Sequence, residues 1–129
     1  PAHRIVQQPG ETWLARQQAD AQHWPEGVTQ LLVPKHQGHL DLVALMMTLG
    51  QRQINTVWVE AGPHLAGALL QAGLLDELIV YIAPRLLGDA AWGLCTLPGL
   101  TSLANAPRLR FSQVRQVGPD VCLHLTLAE

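Results

Sequence analysis

The sequence predicts an alternating α/β domain in which a mainly parallel sheet is finished by an antiparallel hairpin. Three observations carry this expectation. Apolar, β-branched runs at Val28 to Val33 and Thr56 to Val59 alternate with segments whose apolar residues repeat at helical spacing. A further run, Leu78 to Ala83, is apolar on both alternating faces, as a central strand covered on two sides must be. Near the C-terminus, Leu109 and Phe111 alternate with polar residues, and Val121, Leu123, Leu125 and Leu127 do the same beyond a turn at Gly118-Pro119-Asp120.

In chain order, Arg4 to Val6 is a short apolar-alternating piece, and Gln7-Gln8-Pro9-Gly10 is a turn signal. Thr12 to Ala15 reads as a short strand, Arg16 to Glu26 as a polar connection, and Val28 to Val33 as the next strand, closed by Pro34. Asp41 to Gln51 is a helix, because Leu42, Leu45, Met46 and Leu49 form one apolar face and Gly50 lies near its end. Met46 and Met47 are core filler on this reading rather than a cofactor-lining pair. Thr56 to Val59 is expected to be a buried strand that stops at a lone acid, Glu60, before the turn Ala61-Gly62-Pro63. Pro63 suits a first helical position, and Leu65, Ala66, Leu69 and Leu70 continue at helical spacing until Gly73. The crossover to Leu78–Ala83 is then right-handed. Asp89 to Gly99 has no period and reads as a loop, with at most a helical turn at Leu100 to Ala104 before the hairpin.

Composition narrows the classes of function. With 129 residues, 48% of them hydrophobic, the chain is one domain's worth and has material for a core. A net charge of −2 with only 8 Lys and Arg offers no footprint for nucleic acid or an anionic membrane. Apolar runs stay well below the roughly 18 residues a bilayer span needs, and the expectation is a soluble cytoplasmic protein. Cys95 and Cys122 lack C-x-x-C spacing and read as reduced, buried thiols. The first residue is Pro1, so the chain is expected to begin within a longer protein, with the first members of the sheet upstream.

The candidate site is the turn after Thr56–Val59. A carboxylate at the C-terminal edge of a parallel strand stands where ligands bind in open α/β sheets, although an acid capping the next turn is the bland alternative for Glu60. With Pro63 lacking an N–H, the amides of His64, Leu65 and Ala66 are expected to point over the strand end, where the helix dipole favours phosphate. Small residues at Gly62, Ala66 and Gly67 allow close approach, which tight packing alone would also select. His36 and His39 read as solvated loop histidines, with no third residue to complete a metal site. No G-x-S-x-G is present, and no Cys stands beside a His, so nucleophilic catalysis has no candidate.

Val59 to Gly88, V-E-A-G-P-H-L-A-G-A-L-L-Q-A-G-L-L-D-E-L-I-V-Y-I-A-P-R-L-L-G, resembles the C-terminal reductase domain of the bifunctional deaminase/reductase of riboflavin biosynthesis. The likeness continues through Gly93-Leu94-Cys95 to Val117–Leu125. It implies a dihydrofolate-reductase-like three-layer α/β fold, of which this chain is the C-terminal part. It also implies NADPH-dependent reduction of 5-amino-6-(5-phosphoribosylamino)uracil to the ribityl product. Glu60 would contact the substrate, and Gly62, Pro63, His64, Leu65, Ala66, Gly67 and Ala68 would hold cofactor phosphate; no side chain need act as a catalytic nucleophile. His64 stands where the family more often has a small hydroxyl residue, which leaves the backbone donors as the phosphate contacts there. A homodimer is the expected assembly, and the 129-residue chain alone is expected to be inactive or nearly so. The alternatives are a non-catalytic anion-binding or dimerisation module, and a related reductase acting on a folate or another pterin.

Overall fold

A computed structural model describes residues 2–128. The chain divides between Trp58 and Val59 into two compact units.

In the first unit, strands β1 (Thr12–Arg16) and β2 (Val28–Leu32) pair in parallel, with Thr12 opposite Val28 and Arg16 opposite Leu32. Gly27 opens β2 at φ +84°, and a Cβ there would stand 2.9 Å from the Gly10 carbonyl oxygen, so the entry to this ladder requires glycine. The core of the unit is small: Val6, in a 3-10 turn at Arg4–Gln7, with Leu31 and Val33. A crossover without a helix joins the two strands, and Asp20 organises it. Its carboxylate accepts from the Trp24 indole N–H at 2.9 Å and pairs with Arg16. Gln30 on β2 meets its backbone in both directions, accepting from the Asp20 N–H at 2.9 Å and donating to the Asp20 carbonyl at 3.2 Å. The Trp24 contact first, with help from Arg16 and the Gln22 amide, holds the Asp20 carboxyl below its usual range against the opposing effect of partial burial.

Beyond β2, Lys35–His36 (β3) and His39–Leu40 (β4) form a minimal hairpin, with left-handed Gln37 and Gly38 at its tip. His36 and His39 face each other across it and are exposed. Helix α1 (Leu42–Gln51) starts on Asp41, whose side chain accepts from the Ala44 N–H at 2.9 Å. It ends in a Schellman motif: Gln53 N–H donates to Gly50 O at 2.9 Å and Ile54 N–H to Leu49 O at 3.1 Å. The left-handed residue is Gln53, not Gly50, which lies inside the helix. Arg52 then lies over the Trp13 ring at 5.0 Å, tying this end to β1.

Several expectations are corrected by the structure. Thr56–Val59 is not a strand: residues 54–62 run without regular structure, and Trp58 is 68% exposed. Apolar, β-branched composition suits a strand only where a neighbour supplies a ladder, and among the described residues no ladder includes this run. The right-handed crossover built on it is therefore not formed either. Among the described residues parallel pairing is confined to β1 and β2, so the expected mainly parallel sheet gives way to small sheets in which antiparallel pairs predominate.

In the second unit, helix α2 (Pro63–Gln71) is followed by β5 (Glu77–Ile82), β6 (Leu109–Val117) and β7 (Asp120–Leu127). The three strands form an antiparallel sheet in the order β5-β7-β6. The expected C-terminal hairpin is β6–β7. Leu78–Ala83, expected as a central strand, is corrected too: as β5 it is an edge strand, and its Tyr81 and Ile82 are exposed. The centre falls to β7, whose Cys122 is fully buried, because its hairpin partner β6 pairs on one side and β5 on the other. A bulge between Phe111 and Gln113 shifts the register of β6. It keeps Leu109, Phe111 and Val114 opposite Leu127, Leu125 and Leu123 on one face, and turns Arg110, Gln113 and Arg115 to the other. Among the described residues no helix is long and apolar enough to cross a membrane.

Candidate functional site

The candidate residues come together at the start of α2. Gly62 is the N-cap, with no side-chain cap bond, and Pro63 occupies the first turn, where its missing N–H costs nothing. The amides of His64 and Leu65, second and third in the helix, have no intrahelical acceptor. Ala66 differs from expectation. Its N–H donates to the Gly62 carbonyl at 3.1 Å, because an N-cap carbonyl accepts the first helical bond, so the helix end offers fewer donors than the sequence suggested. At the far end Gly73, at φ +66°, closes α2 with the same motif as α1, through Gly73 N–H to Leu70 O and Leu74 N–H to Leu69 O.

A loop is clamped onto this first turn. Thr96 N–H donates to the Pro63 carbonyl at 2.9 Å, and the Thr96 carbonyl lies directly over Gly67. A Cβ on Gly67 would stand 1.9 Å from that oxygen, so the glycine permits backbone to meet helix. Gly67 is buried by this contact and Ala68 is half-buried behind it, while His64 and Leu65 are exposed at the mouth. Between loop and helix opens a cleft of about 240 Å³ lined by Pro63, His64, Trp92, Gly93, Cys95 and Thr96. Cys95 is a half-buried free thiol.

Glu60 stands on the extended approach to α2, two residues before Gly62, and is exposed. The strand that was to carry it is absent, so its position follows from the short Ala61-Gly62 link to the helix. Trp92, Gly93, Cys95 and Thr96 were not assigned to the site from the sequence, since their segment has no periodicity. The signal that leads to them is Gly67: a glycine inside a helix costs about 1 kcal/mol relative to alanine and implies a close neighbour.

The family model described as "RibD C-terminal domain" matches residues 1–123. The chain belongs to that family. It is 72% identical over 125 residues to the riboflavin biosynthesis protein RibD of Escherichia coli (strain K12), covering 97% of this chain and 34% of that protein. The 5-amino-6-(5-phosphoribosylamino)uracil reductase of Buchnera aphidicola subsp. Acyrthosiphon pisum (strain APS) is 39% identical over 126 residues, 98% of this chain and 61% of that protein. The chain thus spans about a third of the one relative and under two thirds of the other. Among solved structures, Acinetobacter baumannii RibD, form 2, superposes with a TM-score of 0.70 at 37% identity, covering 79% of this chain and 27% of that one. Membership of the RibD C-terminal domain family agrees with the dihydrofolate-reductase-like α/β class drawn from the sequence.

Proposed function

We propose that the chain is the cofactor-holding part of a riboflavin-pathway reductase that converts 5-amino-6-(5-phosphoribosylamino)uracil to its ribityl product with NADPH. The observation that carries this reading is the uncapped start of α2, in a chain that resembles a reductase of that printed name along nearly its whole length. The residues present fit a phosphate group. Gly62 has no Cβ and no atom within 4 Å of where one would stand, which leaves room for an anion to approach the His64 and Leu65 amides. NADPH, when bound, supplies the hydride. The chain's own residues bind and orient: Gly62, Pro63, His64, Leu65 and Ala66 form the phosphate-facing turn, Gly67 and Ala68 let that turn sit against its loop, and Glu60 orients the substrate. Orientation of this kind accounts for a large part of a bimolecular barrier, and no protein nucleophile is required.

The assembly that fits this reading is a homodimer, supported by β6, a nine-residue edge strand with Phe111 and Val114 exposed on one face. The free thiols Cys95 and Cys122 support a reducing, cytoplasmic setting. A titration of the chain with NADPH, repeated on His64→Glu, tests the phosphate assignment. His64 is exposed, so the fold should tolerate the change, and a carboxylate at the helix start should weaken binding by about 1–2 kcal/mol through repulsion. Equal affinity for both proteins would place the phosphate elsewhere.

A further inference from the structure

We propose that the cleft beside α2 seats the flat base of a nucleotide, with the Trp92 indole as its stacking wall. This rests on the function proposed above and specifies which part of a ligand the cleft takes. Three of the six lining residues, Pro63, His64 and Trp92, carry rings, and the other three, Gly93, Cys95 and Thr96, are small. No Lys, Arg, Asp or Glu lines it, so its side chains offer flat surface rather than charge. Trp92 is 85% exposed, so its ring is open to a ligand that lies against it. The wall is anchored four residues further on, where Thr96 N–H donates to the Pro63 carbonyl at 2.9 Å and its backbone packs on Gly67. A volume of about 240 Å³ falls below the roughly 300–1,000 Å³ of sites that enclose whole ligands, which suits a single ring and not a dinucleotide.

The adenine of the cofactor and the pyrimidine of the substrate share this chemistry, and the test separates them. The 129-residue chain and its Trp92→Ala and Trp92→Phe variants are titrated by calorimetry with adenosine 2′,5′-bisphosphate, uridine 5′-phosphate and inorganic pyrophosphate. Because Trp92 is so exposed, neither substitution removes core packing, and circular dichroism verifies this. Stacking on an aromatic side chain predicts that Trp92→Ala binds one nucleotide about 5- to 150-fold more weakly, that Trp92→Phe retains most of the affinity, and that pyrophosphate is unaffected. A loss confined to the adenosine ligand assigns the cleft to the cofactor's base, and a loss confined to the uridine ligand assigns it to the substrate's. Unchanged affinity of Trp92→Ala for both nucleotides overturns the ring seat and leaves the proposed function standing. If the unsubstituted chain binds neither nucleotide nor NADPH, the proposed function falls and this inference with it.

Discussion

Replacing Gly67 by alanine tests the construction of the cleft. The new Cβ would lie 1.9 Å from the Thr96 carbonyl oxygen, 2.8 Å from its carbon and 3.1 Å from its nitrogen. These are backbone atoms, so no rotamer change relieves the contact and the loop itself must lift. Lifting it sacrifices the Thr96 N–H bond to Pro63 O, which contributes about 1 kcal/mol, and overpacking of this kind typically costs about 1–3 kcal/mol. Alanine recovers about 1 kcal/mol of helix propensity over glycine. The balance is a loss of about 1–3 kcal/mol in Gly67→Ala. The control is Gly50→Ala in α1, where nothing stands within 4 Å of the added methyl group, so only the propensity gain of up to about 1 kcal/mol remains. Urea unfolding followed by far-ultraviolet circular dichroism should move the two midpoints in opposite directions with the slopes unchanged. A Gly67→Ala midpoint equal to or above that of the unsubstituted chain would refute the clamp.

Asp20 should give the first unit a dependence on acid: its folded-state carboxyl is held below the usual range, so its contribution is present above the unfolded value of about 3.9 and is lost as pH falls through the folded value. Asp20→Asn should flatten that limb of an acid stability profile; an unchanged profile would assign the dependence to other carboxylates. Sedimentation at tens of micromolar should show a dimer, and Val114→Lys on the exposed apolar face of β6 should shift it toward monomer; a clean monomer in the unsubstituted chain counts against the homodimer. Under the proposed function, a version extended at its N-terminus toward the length of the E. coli relative should turn over the ribosylaminopyrimidine phosphate with NADPH many-fold faster than the 129-residue chain, since positioning is worth up to about 7–11 kcal/mol. Comparable rates would show that this chain supplies the whole site.

Signals that act within four or five residues were legible in the sequence. The start of α1 at Asp41, Pro63 in the first turn of α2 and Gly73 at its end all fall where the residue types placed them. Helix ends are decided by local bonds, so the local sequence suffices. The left-handed position at the end of α1 is taken by Gln53, a residue type that carried no such signal. Strands were less legible. Thr56–Val59 and Leu78–Ala83 carry equally apolar runs, yet one forms no ladder and the other forms an edge, because a strand's place depends on a partner far away in sequence.

The bulge in β6 shows how the two kinds of information combine. Strict alternation from Phe111 would have carried Gln113 and Arg115 onto the face that Leu123 and Leu125 occupy. One extra residue, Ser112, whose hydroxyl donates to the His124 carbonyl at 3.2 Å, absorbs the mismatch and returns Val114 to the apolar face. The apolar residues of β6 are three apart at this point, a spacing that by itself suits a helix as well as a strand. Only the partner strand β7, with its unbroken alternation from Val121 to Leu127, decides between them. The same logic governs the cleft: Gly67 announces that something approaches α2, but which backbone does so is set by Thr96, almost thirty residues on. The start and end of helix α2 were therefore readable from its own residues, whereas the ring-lined wall beside it needed the fold.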